Sequence, residues 1–193
     1  MAQEFEVKYR SSPETLAALA ARFGPCTPIT METVYYDSLN GSLSMRKWTL
    51  RRRLENGVSV CTLKTPGQGL ARGEWEVRCP DIREAVPMLL ALGAPAELEG
   101  LTAGGIVERC AARFVRQAAQ VRFGTSTLEL ALDQGILLGG GKEIPLCEVE
   151  AELKEGLEAD ALAFGDAIAA EYGLVPEEKS KAARAMALAA ETA

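Results

Sequence analysis

Glu4-Phe5-Glu6-Val7-Lys8-Tyr9 alternates charged and apolar residues without a break. In a strand, Glu4, Glu6 and Lys8 share one face and Phe5, Val7 and Tyr9 the other. Carboxylates two residues apart along a strand lie about 6.5–7 Å from one another, near enough to reach one divalent cation or a neighbouring pair. Taken alone, the stretch fits an edge strand with one solvated face better. Recurrence along the chain is what separates the two readings.

The alternation recurs in most of the strand-forming segments. Trp48 to Leu54 and Val58 to Thr65 read as the arms of a hairpin around Glu55-Asn56-Gly57, with Arg51 and Arg53 on one face of the first arm and Thr62 and Lys64 on one face of the second. After a loop over Pro66-Gly67-Gln68-Gly69, the segment from Arg72 to Arg78 puts Arg72, Glu74, Glu76 and Arg78 on one side. Strand resumes from Ile106. Arg113 to Phe123 and Ser126 to Gln134 form a hairpin across Gly124-Thr125, with Leu128, Leu130 and Leu132 facing the core and Glu129 and Asp133 the charged side. Gly139-Gly140-Gly141 turns into Ile144 to Leu153, where Glu148, Glu150 and Glu152 share a face. Three carboxylates in a row repel one another unless cations sit between them.

Helices fill the intervals. Ser12 caps a helix that starts at Pro13 and carries Leu16, Leu19 and Phe23 before Gly24-Pro25. Thr33 to Asp37 is β-prone, and Asn40-Gly41 marks a turn. Asp81 to Leu92 is amphipathic and ends at Gly93, Ala94 to Gly105 is a connection with a short helical turn, and Asp160 to Tyr172 is helical by the spacing of Leu162, Phe164 and Ile168. The spacing predicts a last, Ala-rich helix over 176–190 that holds Lys181 and Arg184 on one face.

Composition narrows the chemistry. The 193 residues contain no histidine, which excludes Ser-His and Cys-His nucleophilic machinery and leaves carboxylate, lysine and arginine chemistry. The five cysteines (Cys26, Cys61, Cys79, Cys110, Cys147) form no C-x-x-C pair and no even disulfide framework. A net charge of −6 argues against broad nucleic-acid or acidic-membrane binding, although Arg46, Lys47, Arg51, Arg52 and Arg53 cluster between Ser38 and Leu54 with no acid among them. No apolar run is long enough to span a bilayer, and the first residues do not read as a signal peptide, so the expectation is a cytoplasmic protein without membrane or nucleic-acid partners, a monomer or a homodimer.

An open antiparallel sheet with a wet face would show similar alternation. Two features favour closure: the charges are grouped by sign, and helices are available to cover the apolar faces. The expected fold is therefore α+β, a closed antiparallel eight-stranded β-barrel with flanking helices, in one domain over 1–193 that includes the helix at 176–190. An eight-stranded barrel leaves room for one small ligand. Lined by fixed cations and carboxylate-held metal, it suits a compact polyanion such as a phosphate chain, with Mg²⁺ or Mn²⁺ bridging carboxylates to phosphates.

The set Glu4-x-Glu6-x-Lys8, Tyr35-Tyr36-Asp37, Leu50-Arg51-x-Arg53, Thr62-Leu63-Lys64, Arg72-x-Glu74-x-Glu76, Ala131-Leu132-Asp133-Gln134-Gly135, Cys147-Glu148-x-Glu150 and Ser180-Lys181-Ala182-Ala183-Arg184 resembles the CYTH superfamily, the triphosphate tunnel metalloenzymes, in its bacterial inorganic triphosphatase branch. The resemblance implies metal-dependent hydrolysis of inorganic triphosphate in a charged tunnel with two divalent cations, Mg²⁺ or Mn²⁺. It implies Glu4, Glu6, Asp133, Glu148 and Glu150 as metal ligands. Lys8, Arg51, Arg53, Lys64, Arg116, Lys181 and Arg184 would hold phosphates, and Lys8, Arg53 and Glu76 would serve catalysis. Glu152 and Arg72 are left as charges at the tunnel mouth, and Arg113 competes with Arg116 for its role. Related activities are thiamine- or nucleoside-triphosphate hydrolysis and cyclisation of ATP; a non-catalytic polyphosphate-binding module is the reading from another class. Lys47-Trp48-Thr49 departs from the glycine many members carry before the Arg-x-Arg pair.

Overall fold

The computed structural model describes residues 2–67 and 72–190. Gln68 and Gly69 of the expected loop lie outside the described residues. Ten strands form one sheet: β1 (Ala2–Glu4), β2 (Glu6–Arg10), β3 (Thr27–Ser38), β4 (Thr49–Glu55), β5 (Val58–Pro66), β6 (Arg72–Arg78), β7 (Ile106–Phe123), β8 (Ser126–Gly139), β9 (Lys142–Glu155) and β10 (Val175–Pro176). Their order is β1-β6-β5-β4-β3-β7-β8-β9-β2-β10, and every pairing is antiparallel. Six helices accompany it: α1 (Pro13–Phe23), α2 (Ser42–Met45), α3 (Ile82–Ala91), α4 (Glu97–Thr102), α5 (Glu158–Tyr172) and α6 (Lys181–Ala190).

This corrects the expected closed eight-stranded barrel. The first strand is divided at Phe5: Ala2–Glu4 pairs with β6, and Glu6–Arg10 pairs with β9. Counting the divided strand once and setting the two-residue β10 aside leaves eight, but among the described residues no hydrogen-bonded ladder joins the two ends of the order. They meet instead through the covalent chain at Phe5, whose carbonyl accepts from Leu153 N at 2.9 Å.

Local chemistry accounts for the element ends. The Ser12 hydroxyl accepts from Thr15 N at 3.2 Å and caps α1, and the Asp81 carboxylate accepts from Arg83 N at 2.6 Å and caps α3. Asn56 and Gly57 both have positive φ (48° and 85°), as a two-residue hairpin turn requires. Asp37, fully buried in the Tyr-Tyr-Asp motif, accepts from Ser38 N, Leu43 N and Ser44 N and ties β3 to α2. The expected helix over 176–190 starts later, at Lys181. Val175 and Pro176 instead pair with Arg10 and Tyr9, Glu177 N donates to Lys8 O at 2.9 Å, and the Ser180 hydroxyl accepts from Ala183 N at 3.1 Å. These bonds hold residues 175–177 extended.

Three apolar clusters organise the helices. The outer faces of β2, β8 and β9 (Val7, Tyr9, Leu128, Leu130, Val149) pack against α1 and α5. The outer faces of β4, β5 and β6 (Leu50, Leu63, Trp75) pack against α3 and α4. Each fully buried leucine in these layers contributes about 2 kcal/mol. The third cluster lies on the other side of the sheet. Ala182, Ala185 and Leu188 of α6 pack on Tyr35, Phe114, Leu137 and Leu146. By strand alternation those positions share the face of Arg51, Arg116, Asp133 and Glu148. The last helix, from which Lys181 and Arg184 were expected to reach in, therefore blocks one end of the charged face and does not merely flank the sheet.

Gly135, the glycine of the Ala-Leu-Asp-Gln-Gly motif, faces Phe114 across β7 and β8. A Cβ there would lie 2.1 Å from Arg113 O and 2.5 Å from Phe114 Cα, backbone atoms of the paired strand. Gly135→Ala is expected to cost about 1–3 kcal/mol, read as a lower denaturation midpoint; a midpoint equal to the parent's would show that the two strands separate freely here.

Candidate functional site

The charged face encloses a cavity of about 390 Å³ whose lining is drawn from every strand except β10, and from the start of α6. Ten of the thirteen predicted site residues line it: Glu4, Glu6, Lys8, Arg51, Arg53, Lys64, Glu76, Arg116, Glu150 and Lys181. Asp133 and Glu148 are fully buried behind the lining, with Arg184 beside them. Arg113 is exposed on the opposite parity, whereas Arg72 lines the cavity.

At the end closed by α6, Asp133, Glu148 and Glu150 place carboxylate oxygens within 4.8 Å of one another, close enough to hold a metal ion. An ammonium stands in that position. Lys181 Nζ lies 2.8 Å from Asp133 Oδ2 and 2.7 Å from Glu150 Oε1, and also donates to Glu148 Oε1. Arg116 forks onto both Asp133 oxygens at 2.8 Å and reaches Glu150 Oε2 at 2.5 Å, and Arg184 donates to Glu148 Oε2. Burial would discharge Lys181, yet Asp133, Glu150 and Glu148 hold its pKa above the usual lysine range. Three acids thus meet three bases, and α6 is anchored by them.

The carboxylates nearer the mouth are less well matched. Lys64 Nζ lies 2.5 Å from both Glu4 oxygens and 3.4 Å from Glu74, which is also 3.9 Å from Arg51. Burial raises the Glu4 carboxyl but the Lys64 pair outweighs it, leaving its pKa lowered. Glu6 has one cation within 4.0 Å among the described residues, Lys8 at 3.6 Å. Burial, then the charge of Glu150, pushes its pKa up. The register sets Glu6 directly opposite Glu152 and Glu152 opposite Glu129, making a row of carboxylates across three strands; Lys154 lies 2.8 Å from Glu152 and 3.8 Å from Glu129, and Arg116 lies 3.9 Å from Glu129. Burial raises the Glu152 carboxyl as well, against the pull of Lys154. Glu6 and Glu152 are therefore acids whose surroundings call for a further cation, and an all-oxygen donor set suits Mg²⁺ or Mn²⁺. Sequence reasoning left Glu152 at the rim. Its parity with Glu148 and Glu150 was visible, but its register against Glu6 needed the pairing of β9 with β2.

The cations show the converse imbalance. Arg53 is 5% exposed, donates Nε to Thr33 Oγ1 at 2.9 Å and, among the described residues, has Glu55 as its one carboxylate within 4.0 Å, at 3.7 Å. Burial pushes its pKa down to about 10, and repulsion from Arg51 and Arg116 adds to the shift. The Nε of Arg51 is buried without a hydrogen-bond partner among the described residues. Glu76 is exposed, accepts from Thr62 Oγ1 at 3.4 Å and makes no ion pair among the described residues. Among the aromatics, Tyr35 lines the cavity, while Tyr36, Trp48 and Trp75 belong to the outer cluster under α3.

An inorganic triphosphatase of Haemophilus influenzae is 29% identical over 191 residues, 95% of this chain and 54% of that protein, so the chain spans about half the length of this relative. Among solved structures, a Hippeastrum putative adenylyl cyclase, described as having a dominant triphosphatase activity, superposes with a TM-score of 0.68 at 18% identity over 97% of this chain and 96% of its own. A Pyrococcus horikoshii protein does so with a TM-score of 0.62 at 20% identity over 94% and 97%. At those identities they show a shared fold. The CYTH domain family matches residues 2–186, from the first strand into the helix that blocks the cavity, so the match takes in the whole sheet and both ends of the site, and the chain belongs to the CYTH domain family.

Proposed function

We propose that this chain hydrolyses the terminal phosphoanhydride bond of inorganic triphosphate, giving diphosphate and phosphate, with Mg²⁺ or Mn²⁺ held in the cavity. The observation that carries this reading is Arg53: a buried guanidinium facing the cavity, repelled by two other arginines and lacking a carboxylate at hydrogen-bond distance, is a site built for an anion. Eight Lys or Arg side chains and eight Glu side chains line the cavity among the described residues, so a phosphate chain accompanied by divalent cations suits it better than a bare polyanion. The relative from Haemophilus influenzae supports the choice of inorganic triphosphate, as does the near absence of aromatic lining. We take the sheet to be a tunnel wall completed by the chain at Phe5, in one domain.

In this reading Glu4, Glu6, Glu150 and Glu152 hold the cations, and Asp133 and Glu148 hold α6 in place. The cations, when bound, supply Lewis acidity to phosphoryl oxygens and a readily ionised water. Arg51, Arg53, Lys64 and Lys8 bind non-bridging oxygens and stabilise the charge that grows on the leaving diphosphate. The Glu4–Lys64 pair holds both groups at the cavity wall, where Glu4 would hold a cation and Lys64 would hold phosphate. No side-chain nucleophile is needed, in keeping with the lack of histidine.

The test is phosphate release from tripolyphosphate, ATP and thiamine triphosphate, each with Mg²⁺, with Mn²⁺ and with chelator. Release from tripolyphosphate that exceeds the other two and stops with chelator is expected. Faster turnover of either organic triphosphate would move the assignment to that substrate, and tight tripolyphosphate binding without any product would make the chain a binding module.

A further inference from the structure

Phe114 is not part of the cavity lining, yet two of the lining cations rest on its ring. The Arg53 Cζ lies 5.6 Å and the Lys181 Nζ 5.5 Å from the ring centroid, both over the ring. The side chain is 4% exposed, fixed among Met31, Tyr35, Leu137 and Ala182, and its strand neighbour is the glycine that permits no side chain opposite. We propose that Phe114 is a positioning residue for the phosphate-binding Arg53: its ring holds the guanidinium at the cavity wall while leaving its charge free for the anion.

The chemistry explains why an aromatic stands there. A buried guanidinium must be compensated, and a carboxylate in contact would do so by neutralising it, removing the site's attraction for phosphate. The negative face of a ring offsets part of the burial cost without donating or accepting a hydrogen bond and without cancelling the charge. Arg53 Nε is occupied by Thr33, Glu55 stays beyond hydrogen-bond reach at 3.7 Å, and the ring supplies the remaining support. Lys181 differs, since three carboxylates already hold it, so Arg53 is the cation that depends more on the ring. The inference rests on the reading of the cavity as a triphosphate site.

The experiment replaces Phe114 in the full chain with 4-fluoro-, 3,4-difluoro- and 3,4,5-trifluorophenylalanine, which keep the ring's shape and progressively weaken its negative face, and measures tripolyphosphate binding by calorimetry with Mg²⁺ present. The expected result is a stepwise loss of affinity with fluorine count, reaching about fivefold to thirtyfold for the trifluoro ring, at a constant denaturation midpoint. A merely structural role would leave affinity flat across the series, and that result overturns the inference. Phe114→Leu, an apolar side chain without a ring, should match or exceed the trifluoro loss, and Phe114→Tyr should restore parental affinity. Parental affinity in Phe114→Leu would overturn the inference as well. Failure of the unmodified protein to bind tripolyphosphate would instead overturn the reading of the cavity, so the two failures are told apart.

Discussion

Glu6→Gln is expected to lower metal-dependent phosphate release from tripolyphosphate by about a hundredfold to a thousandfold while leaving the folded protein as stable as the parent, or more so. The two halves have one cause. Glu6 is a partly buried acid with a single cation within 4.0 Å among the described residues, at 3.6 Å, and its pKa is raised by burial and by Glu150. An acid raised on folding supports stability fully below its unfolded pKa, and that support is lost as pH rises through the folded value. At neutral pH the fold therefore works against the ionised group, and a neutral isostere relieves it. The same ionised group is what a divalent cation requires. Initial rates and a thermal melt, each at neutral pH, check both statements; parental activity would remove Glu6 from the cation site, and a lower midpoint would show that its charge is compensated after all. Glu4→Gln is a less clean probe because it also releases Lys64, which sits 2.5 Å from both Glu4 oxygens.

Lys181→Met is expected to act through stability first. It leaves Asp133, Glu148 and Glu150 facing one another with Arg116 and Arg184 alone to balance them, and stripping one partner from a buried ionic network costs about 3–5 kcal/mol. In a chain of this length that lowers the midpoint by roughly 6–20 °C. Because the three acids place oxygens within 4.8 Å of one another, Mn²⁺ or Mg²⁺ should recover part of the loss in Lys181→Met and much less in the parent, whose ammonium already fills the space. An unchanged midpoint would show that α6 is held by its apolar face alone. A lowered midpoint without recovery by metal would show that the trio is shaped for an ammonium and not for a divalent cation. Glu148 belongs to this network, so its replacement by glutamine tests helix anchoring before it tests catalysis.

Much of the site was legible in the sequence because a strand has period two. Parity puts Glu4, Glu6 and Lys8, Arg51 and Arg53, Lys64, and Glu150 on the charged faces of their own strands, the resemblance to CYTH proteins joins them into one set, and all seven line the cavity. Turn and cap chemistry was equally local: Asn56-Gly57 and Ser12-Pro13 each act through atoms within a few residues. Register was not legible. The opposition of Glu6 to Glu152, which makes Glu152 a candidate ligand, depends on which strand lies beside β2, and parity alone does not order strands.

The sequence by itself determined the α+β class, the two-faced strands, the charged set and its likeness to CYTH proteins, since each depends on residue identity and short-range periodicity. Only the tertiary structure decided how the charges are partnered. The Ala-rich face of α6 is as compatible with the outer layers as with the inner one, and docking inside puts Lys181 among three carboxylates and Phe114 under two cations. The division of the first strand at Phe5 is likewise a long-range result, because Glu4 and Glu6 reach opposite ends of the sheet order only after the strands between them have curled round the cavity. Interactions between residues far apart in the chain carry no local signature, and they decide which carboxylates stay open to a metal and which are already held by a base.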